Sequence, residues 1–195
     1  MAGVQDREQF EPVDRAAWRA WLEANHASSP GVWFVSFKPS TGRQAVDYEA
    51  AIQEALCFGW VDSQLRPIDD ERAALLYTPR KPGSGWAATN KRRIEQLEAA
   101  GLMAPAGAAV IAAAKADGTW TLLDDVEAGI VPDDLAAALD AAEGAWATWD
   151  GFPPGVKKGM LGWVVMAKRP ETRAKRIAEI ASEAAAGRRA GQWGR

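Results

Sequence analysis

The chain has 195 residues, room for one large domain or two small ones, and its 48% apolar content supports a packed core and excludes global disorder. Twenty-three basic against 26 acidic side chains leave a net charge of −3, which argues against a dedicated nucleic-acid binder. Cys57 is the single cysteine, so an intrachain disulfide is excluded and a reducing compartment fits.

The stretch up to Glu11 is polar and acidic, without the basic start and apolar run of a secretory signal. The apolar stretches 106–114 and 161–167 are too short to cross a bilayer. The expectation is a cytoplasmic protein with no membrane contact. Asp14 has the character of an N-cap, and Trp18, Trp21 and Leu22 follow at helical spacing. Ser-Ser-Pro-Gly31 breaks that helix. Val32 to Lys38 reads as a strand with Trp33, Val35 and Phe37 on one face, and Val32 and Phe34 on the other. Asp47 caps a second helix with Ala51, Ile52, Ala55 and Leu56 inside and Gly59 as its stop.

Trp60 to Ile68 and Arg72 to Thr78 read as two strands joined at Asp69-Asp70, with Pro67 marking an edge. A Pro/Gly loop from Pro79 to Gly85 leads to a charged helix over 87–100. From Gly101 the composition turns Ala-rich, and a helix over Pro105–Ala116 is expected with Pro105 at its first position. Helices then start at Pro132, around Trp146 and Trp149, at Pro153-Pro154 and at Pro170, the last stopped by Gly187. Apolar spacing assigns Leu135, Leu139, Met160, Trp163, Val164, Ile177 and Ile180 to their shared core.

The fold class expected is α+β, with a small antiparallel sheet and helices in the N-terminal half and an all-helical C-terminal module. The divisions are 1–100 for the α/β half, 101–131 for an Ala/Gly-rich connection, 132–187 for the helical module, and 188–195 for a mobile tail.

Chemistry-bearing patterns are sparse. The chain has no dinucleotide-binding glycine turn, no phosphate-binding P-loop, and no nucleophile elbow. One His and one Cys cannot assemble a common zinc site, and no cofactor or metal is expected. Cys57 and His26 form the one nucleophile pair available. Cys57, however, ends a helix between apolar neighbours, where the dipole disfavours a thiolate, and His26 suits the carbonyls ending the first helix. The candidate ligand-binding group is Trp60, Asp62, Arg80, Lys81, Trp86 and Asn90. A hairpin turning at Asp69-Asp70 brings residue 62 beside residue 78, and the helix beginning near Trp86 offers free N–H groups. Two indoles, two cations and a carboxylate suit a planar or anionic ligand. Lys168, Arg169, Arg173 and Arg176 form a candidate basic patch, read first as a solvated, internally paired face.

Four phrases carry a likeness: Trp21-Leu-Glu-Ala-Asn-His26, Ala55-Leu-Cys-Phe-Gly-Trp-Val-Asp62, Tyr77-Thr-Pro-Arg-Lys-Pro-Gly-Ser84 and Ala167-Lys-Arg-Pro-Glu-Thr-Arg173. Together they resemble the YdeI/OmpD-associated, bacteriocin-protection family of bacteria, over residues 14–187. The resemblance implies an N-terminal half similar to the YjbR/CyaY-like fold. It brings no catalytic residues, and its label names bacteriocin protection and a porin partner. Family members often carry a cap-like polar residue after the Trp of the Gly-Ser-x-Trp phrase, where this chain has Ala87.

The reading that follows is a non-enzymatic binding protein for a small anionic ligand or a protein partner, in a setting of stress or bacteriocin tolerance. Alternatives are an enzyme using Cys57 with His26, or Asp62, and weak RNA binding through 168–176.

Overall fold

Two aspartates start the helices of the first half through their own side chains. Asp14 accepts the Ala17 N–H at 2.7 Å and opens α1 (Arg15–Asn25); Asp47 accepts the Ala50 N–H at 2.7 Å and opens α2 (Tyr48–Cys57). The structure, a computed structural model, describes residues 3–43 and 46–191. The chain divides into two units, residues 1–84 with 89–118, and residues 85–88 with 119–195.

The first unit is built on a sheet of β1 (Gln9–Phe10), β2 (Val32–Phe37), β3 (Trp60–Pro67) and β4 (Arg72–Pro79), in the order β1-β2-β4-β3. β2, β4 and β3 pair antiparallel, as expected, and β3 is the edge that Pro67 announces. β1 adds a parallel partner, with Gln9 opposite Trp33 and Phe10 opposite Phe34, so the sheet is mixed.

Each face is closed in its own way. On one, α1 and α2 pack Trp18, Leu22, Ala51 and Ile52 over Phe34 and Tyr77, with Trp18 5.0 Å from Phe34 and 5.3 Å from Tyr77, ring to ring. The Trp18 indole donates to Ala51 O at 3.0 Å, which satisfies its buried N–H. Glu54, only 4% exposed, ties the two helices by accepting Arg15 at 2.6 Å and Arg19 at 2.8 Å. On the other face Trp33, Val35, Ala74 and Leu76 form a small core. The Arg66 guanidinium lies 4.0 Å over the Trp33 ring, and the Trp33 indole donates to Val4 O at 3.0 Å. α3 (Ala88–Ala99) turns Ile94 and Leu97 inward. α4 (Pro105–Ala116) comes so close to α2 that a Cβ at Gly107 would run into the Cys57 carbonyl.

The second unit is helical: α5 (Asp124–Ala128), α6 (Asp133–Ala141), α7 (Ala145–Gly151), α8 (Pro154–Val165) and α9 (Pro170–Ala185). Leu135, Leu139, Trp149, Met160, Leu161, Val164, Ile177 and Ile180 are its core. Three differences from expectation stand out. Trp163 is only partly buried; its carbonyl accepts Arg176, whose guanidinium sits 5.1 Å over the indole. The segment 188–191 is held rather than mobile. Arg188 pairs with Glu183 at 2.7 Å, Ala190 is 1% exposed, and Gly191 N–H donates to Glu179 at 3.0 Å. Residues 192–195 of the expected tail lie outside the described residues. The stretch 101–131 is not one connection, because α4 belongs to the first unit and α5 to the second. Among the described residues no helix is long and apolar enough to cross a membrane.

Candidate functional site

The β3–β4 hairpin begins in the expected register. Pro67 faces Ala73, Arg66 faces Ala74 and Leu65 faces Leu75. Then Ser63 and Gln64 together oppose Leu76, and Ser63 Oγ donates to Leu76 O at 3.3 Å. Past this bulge Asp62 faces Tyr77, Val61 faces Thr78 and Trp60 faces Pro79. One extra residue moves every earlier side chain of β3 to the opposite side. Asp62 and Trp60 therefore share the helix-covered face with Tyr77. Arg80 follows the alternation of Leu76 and Thr78 on the other face, its N–H donating to Gly59 O at 2.9 Å.

The strand faces thus part Trp60 and Asp62 from Arg80. Trp60 is 1% exposed; its ring meets Trp21 edge-on at 5.8 Å and its N–H donates to His26 O at 3.3 Å, so it is core. Asp62 accepts the Tyr48 hydroxyl at 3.2 Å and makes no ion pair with Arg80. Asn90 accepts Arg93 at 2.8 Å, while Arg93 grips both oxygens of Glu49 at 2.8 and 2.7 Å. That grip holds the Glu49 carboxyl below its usual range. Trp86 is 2% exposed in the second unit, 5.1 Å from the Trp120 ring. Ala88 N–H already donates to Glu127 at 3.2 Å, a carboxylate supplied from elsewhere in the chain where Ala87 cannot cap.

Arg80 and Lys81 do share a site, with partners the sequence did not single out. A cleft of about 610 Å³ is lined by Arg7, Arg80 and Lys81, by the hydroxyl-bearing Ser63, Thr78 and Ser84, and by Val61, Gln64 and Leu76. The bulge turns Ser63 and Gln64 into it. Gly31 makes room for Arg7: its φ is +141°, and a Cβ there would strike the Arg7 guanidinium and the Tyr77 carbonyl. Burial pushes the Arg80 guanidinium down to about 10, which leaves it charged at neutral pH. Five other arginines of this unit meet carboxylates, and Arg66 lies over Trp33: Arg15 and Arg19 meet Glu54, Arg43 meets Glu71, Arg72 meets Asp69 and Glu11, and Arg93 meets Glu49. Among the described residues, Arg7 and Lys81 meet none. No strand pattern announces the segment that carries Arg7. The strand alternation that groups Thr78 with Arg80 was the available signal.

Cys57 and His26, the candidate nucleophile pair, are each held in another role. Cys57 is 0% exposed, and burial, then the Glu54 charge, push its thiol up. His26 donates through Nδ1 to Leu22 O at 2.9 Å, a helix-end role, and no hydrogen bond joins it to Cys57. In the basic patch, Arg173 grips Asp134 at 2.6 and 2.8 Å and Arg176 is spent on Trp163. Of the four, Lys168 and Arg169 stand exposed and meet no carboxylate among the described residues. Among those residues no group of three His, Cys, Asp or Glu side chains could hold a metal ion.

The first unit is thus an α+β domain with a ligand-sized cationic cleft, and the second an all-helical module. The chain belongs to the family described as Domain of unknown function (DUF8412), whose model matches residues 10–110. Residues 128–187 match the model of the family described as Bacteriocin-protection, YdeI or OmpD-Associated, in agreement with the resemblance of that segment. No curated protein and no solved structure matches the chain.

Proposed function

We infer that the chain is a non-enzymatic binding protein whose first unit holds a small oxyanion, phosphate-like or carboxylate, in the Arg7–Arg80–Lys81 cleft. The observation that carries this reading is that Arg7 and Lys81 line one cleft and meet no carboxylate among the described residues, whereas five other arginines of the unit do. The hydroxyls of Thr78 and Ser84 beside them supply neutral donors for an oxyanion, while that of Ser63 is given to Leu76 O. The helical module's family label supports a bacteriocin-protection-related role, with the cleft as its ligand-sensing part. A cytoplasmic setting belongs to the same reading and is supported by the lone, buried thiol. So does kinship of the first unit with the YjbR/CyaY-like fold, supported by its sheet with two helices packed on one face.

Calorimetric titration with inorganic phosphate tests the reading. Saturable binding is expected, weakened by salt. Arg7→Gln and Lys81→Gln should each weaken it about tenfold, the worth of one charge-assisted hydrogen bond. Absence of saturable binding, or affinities untouched by both substitutions, would remove the proposal.

A further inference from the structure

The helix-covered face of the same sheet opens into a groove of about 350 Å³ beside the first turns of α2, which supply Tyr48 and Ala51 to its lining. Its apolar walls are half aromatic and half aliphatic: Phe34, Phe37 and the ring of Tyr48, with Val46, Leu65 and Leu75. Leu65 is 74% exposed and Tyr48 57%, so two large side chains stand at its rim without cover.

Asp62 adjoins the groove through two phenols that line it: it faces Tyr77 across the ladder and accepts the Tyr48 hydroxyl. Tyr77 is 0% exposed, yet its buried hydroxyl has no hydrogen-bond partner among the described residues. Such a group costs free energy unless something completes it. Asp62 accepts one hydroxyl, from Tyr48, and forms no ion pair among the described residues. A carboxylate offers about four lone-pair sites, so acceptors here exceed donors. Lys38, which also lines the groove, is occupied: its ammonium donates to Asp69 O and Asp70 O, both at 3.0 Å. Arg93 is held by Glu49 and Asn90. Burial, and then the Asp62 charge, raise both the Tyr77 and the Tyr48 phenols, which therefore keep their protons near neutral pH.

We propose that this groove is a second ligand site, independent of the cationic cleft, for a small molecule with an aromatic or alkyl body and a protonated amine. The ammonium takes the oxygen of Asp62 that Tyr48 now holds and brings the Tyr77 oxygen the donor it lacks. The body lies against Phe34, Leu75 and the displaced Tyr48 ring, where cation–π attraction adds to burial. An anion is refused here by Asp62, and an uncharged hydrocarbon leaves the Tyr77 hydroxyl unmet.

Phenethylammonium titrated into the full chain, followed by amide chemical shifts, tests this beside 3-phenylpropionate, which carries a similar ring with the opposite charge. The amine should give saturable shifts centred on Tyr48, Asp62, Leu75 and Tyr77, and the carboxylate none there. Asp62→Asn should weaken the amine about tenfold, as loss of one charge-assisted bond does, with the folded spectrum retained. Tyr77→Phe should weaken it less, and Tyr48→Phe, which frees the Asp62 oxygen, should strengthen it. Equal shifts from amine and carboxylate, an affinity indifferent to Asp62→Asn, or amine shifts centred elsewhere would overturn the proposal.

Discussion

The two faces of the β3–β4 hairpin carry opposite chemistry. One presents Arg7, Arg80 and Lys81 beside three hydroxyls; the other presents Asp62 with two phenols above an apolar groove. A regular hairpin would put Asp62 with Thr78 and Arg80, and the charges would neutralise each other. The bulge at Ser63-Gln64 prevents this by changing which side Asp62 occupies. A single unpaired residue in a strand thus keeps a cation site and an acceptor-rich site apart within one hairpin.

The contrast can be broken or sharpened by substitution. The largest effect is expected for Trp60→Ala. As a core indole it should cost about 3–5 kcal/mol in denaturant unfolding; as a ligand contact it would cost almost nothing. Gly31→Ala comes next, at about 2 kcal/mol, because φ is +141° and the new Cβ meets Arg7 and the Tyr77 backbone. The same change should displace Arg7 and lower phosphate affinity, so loss of stability without loss of binding would detach Arg7 from the site. Tyr77→Phe should act in the opposite direction. Removing a buried, unpartnered hydroxyl should stabilise the ligand-free protein by about 1 kcal/mol, and a destabilised variant would mean that the hydroxyl has a partner.

The smallest effect concerns pH. Glu49 is held below its ordinary value near 4.5 by Arg93, so the pair's contribution is present above that value and fades as pH falls through the lowered one. Half-exposure of Glu49 keeps it under about 1 kcal/mol. Acid unfolding curves of the parent and of Glu49→Gln should converge below the lowered value and separate above 4.5.

Much of the frame is legible in the chain itself, wherever a side chain acts on its own neighbourhood. Asp14 and Asp47 cap because their oxygens reach N–H groups three residues on. Pro105, Pro154 and Pro170 open helices because each lacks the N–H that a first turn leaves idle. Features fixed by distant partners are not legible. β1 is two residues long and exists only through pairing with β2. The cap on α3 comes from Glu127, 39 residues away. Apolar spacing placed Trp163 with Met160 and Val164, but α8 is apolar nearly all round, so spacing alone could not tell that Leu161 faces inward and Trp163 lies at the margin under Arg176. The site failed in sequence for one reason above all. Alternation predicts faces only while the count is unbroken, and neither Ser63 nor Gln64 is a residue that announces a bulge.

The most direct test of the central claim is an amide chemical-shift map of the full chain with inorganic phosphate. Saturable shifts should fall on Arg7, Ser63, Thr78, Lys81 and Ser84 and spare Tyr48, Asp62 and Tyr77. Shifts spread over both sets, or absent from the first, would contradict a cation site confined to one face of the hairpin.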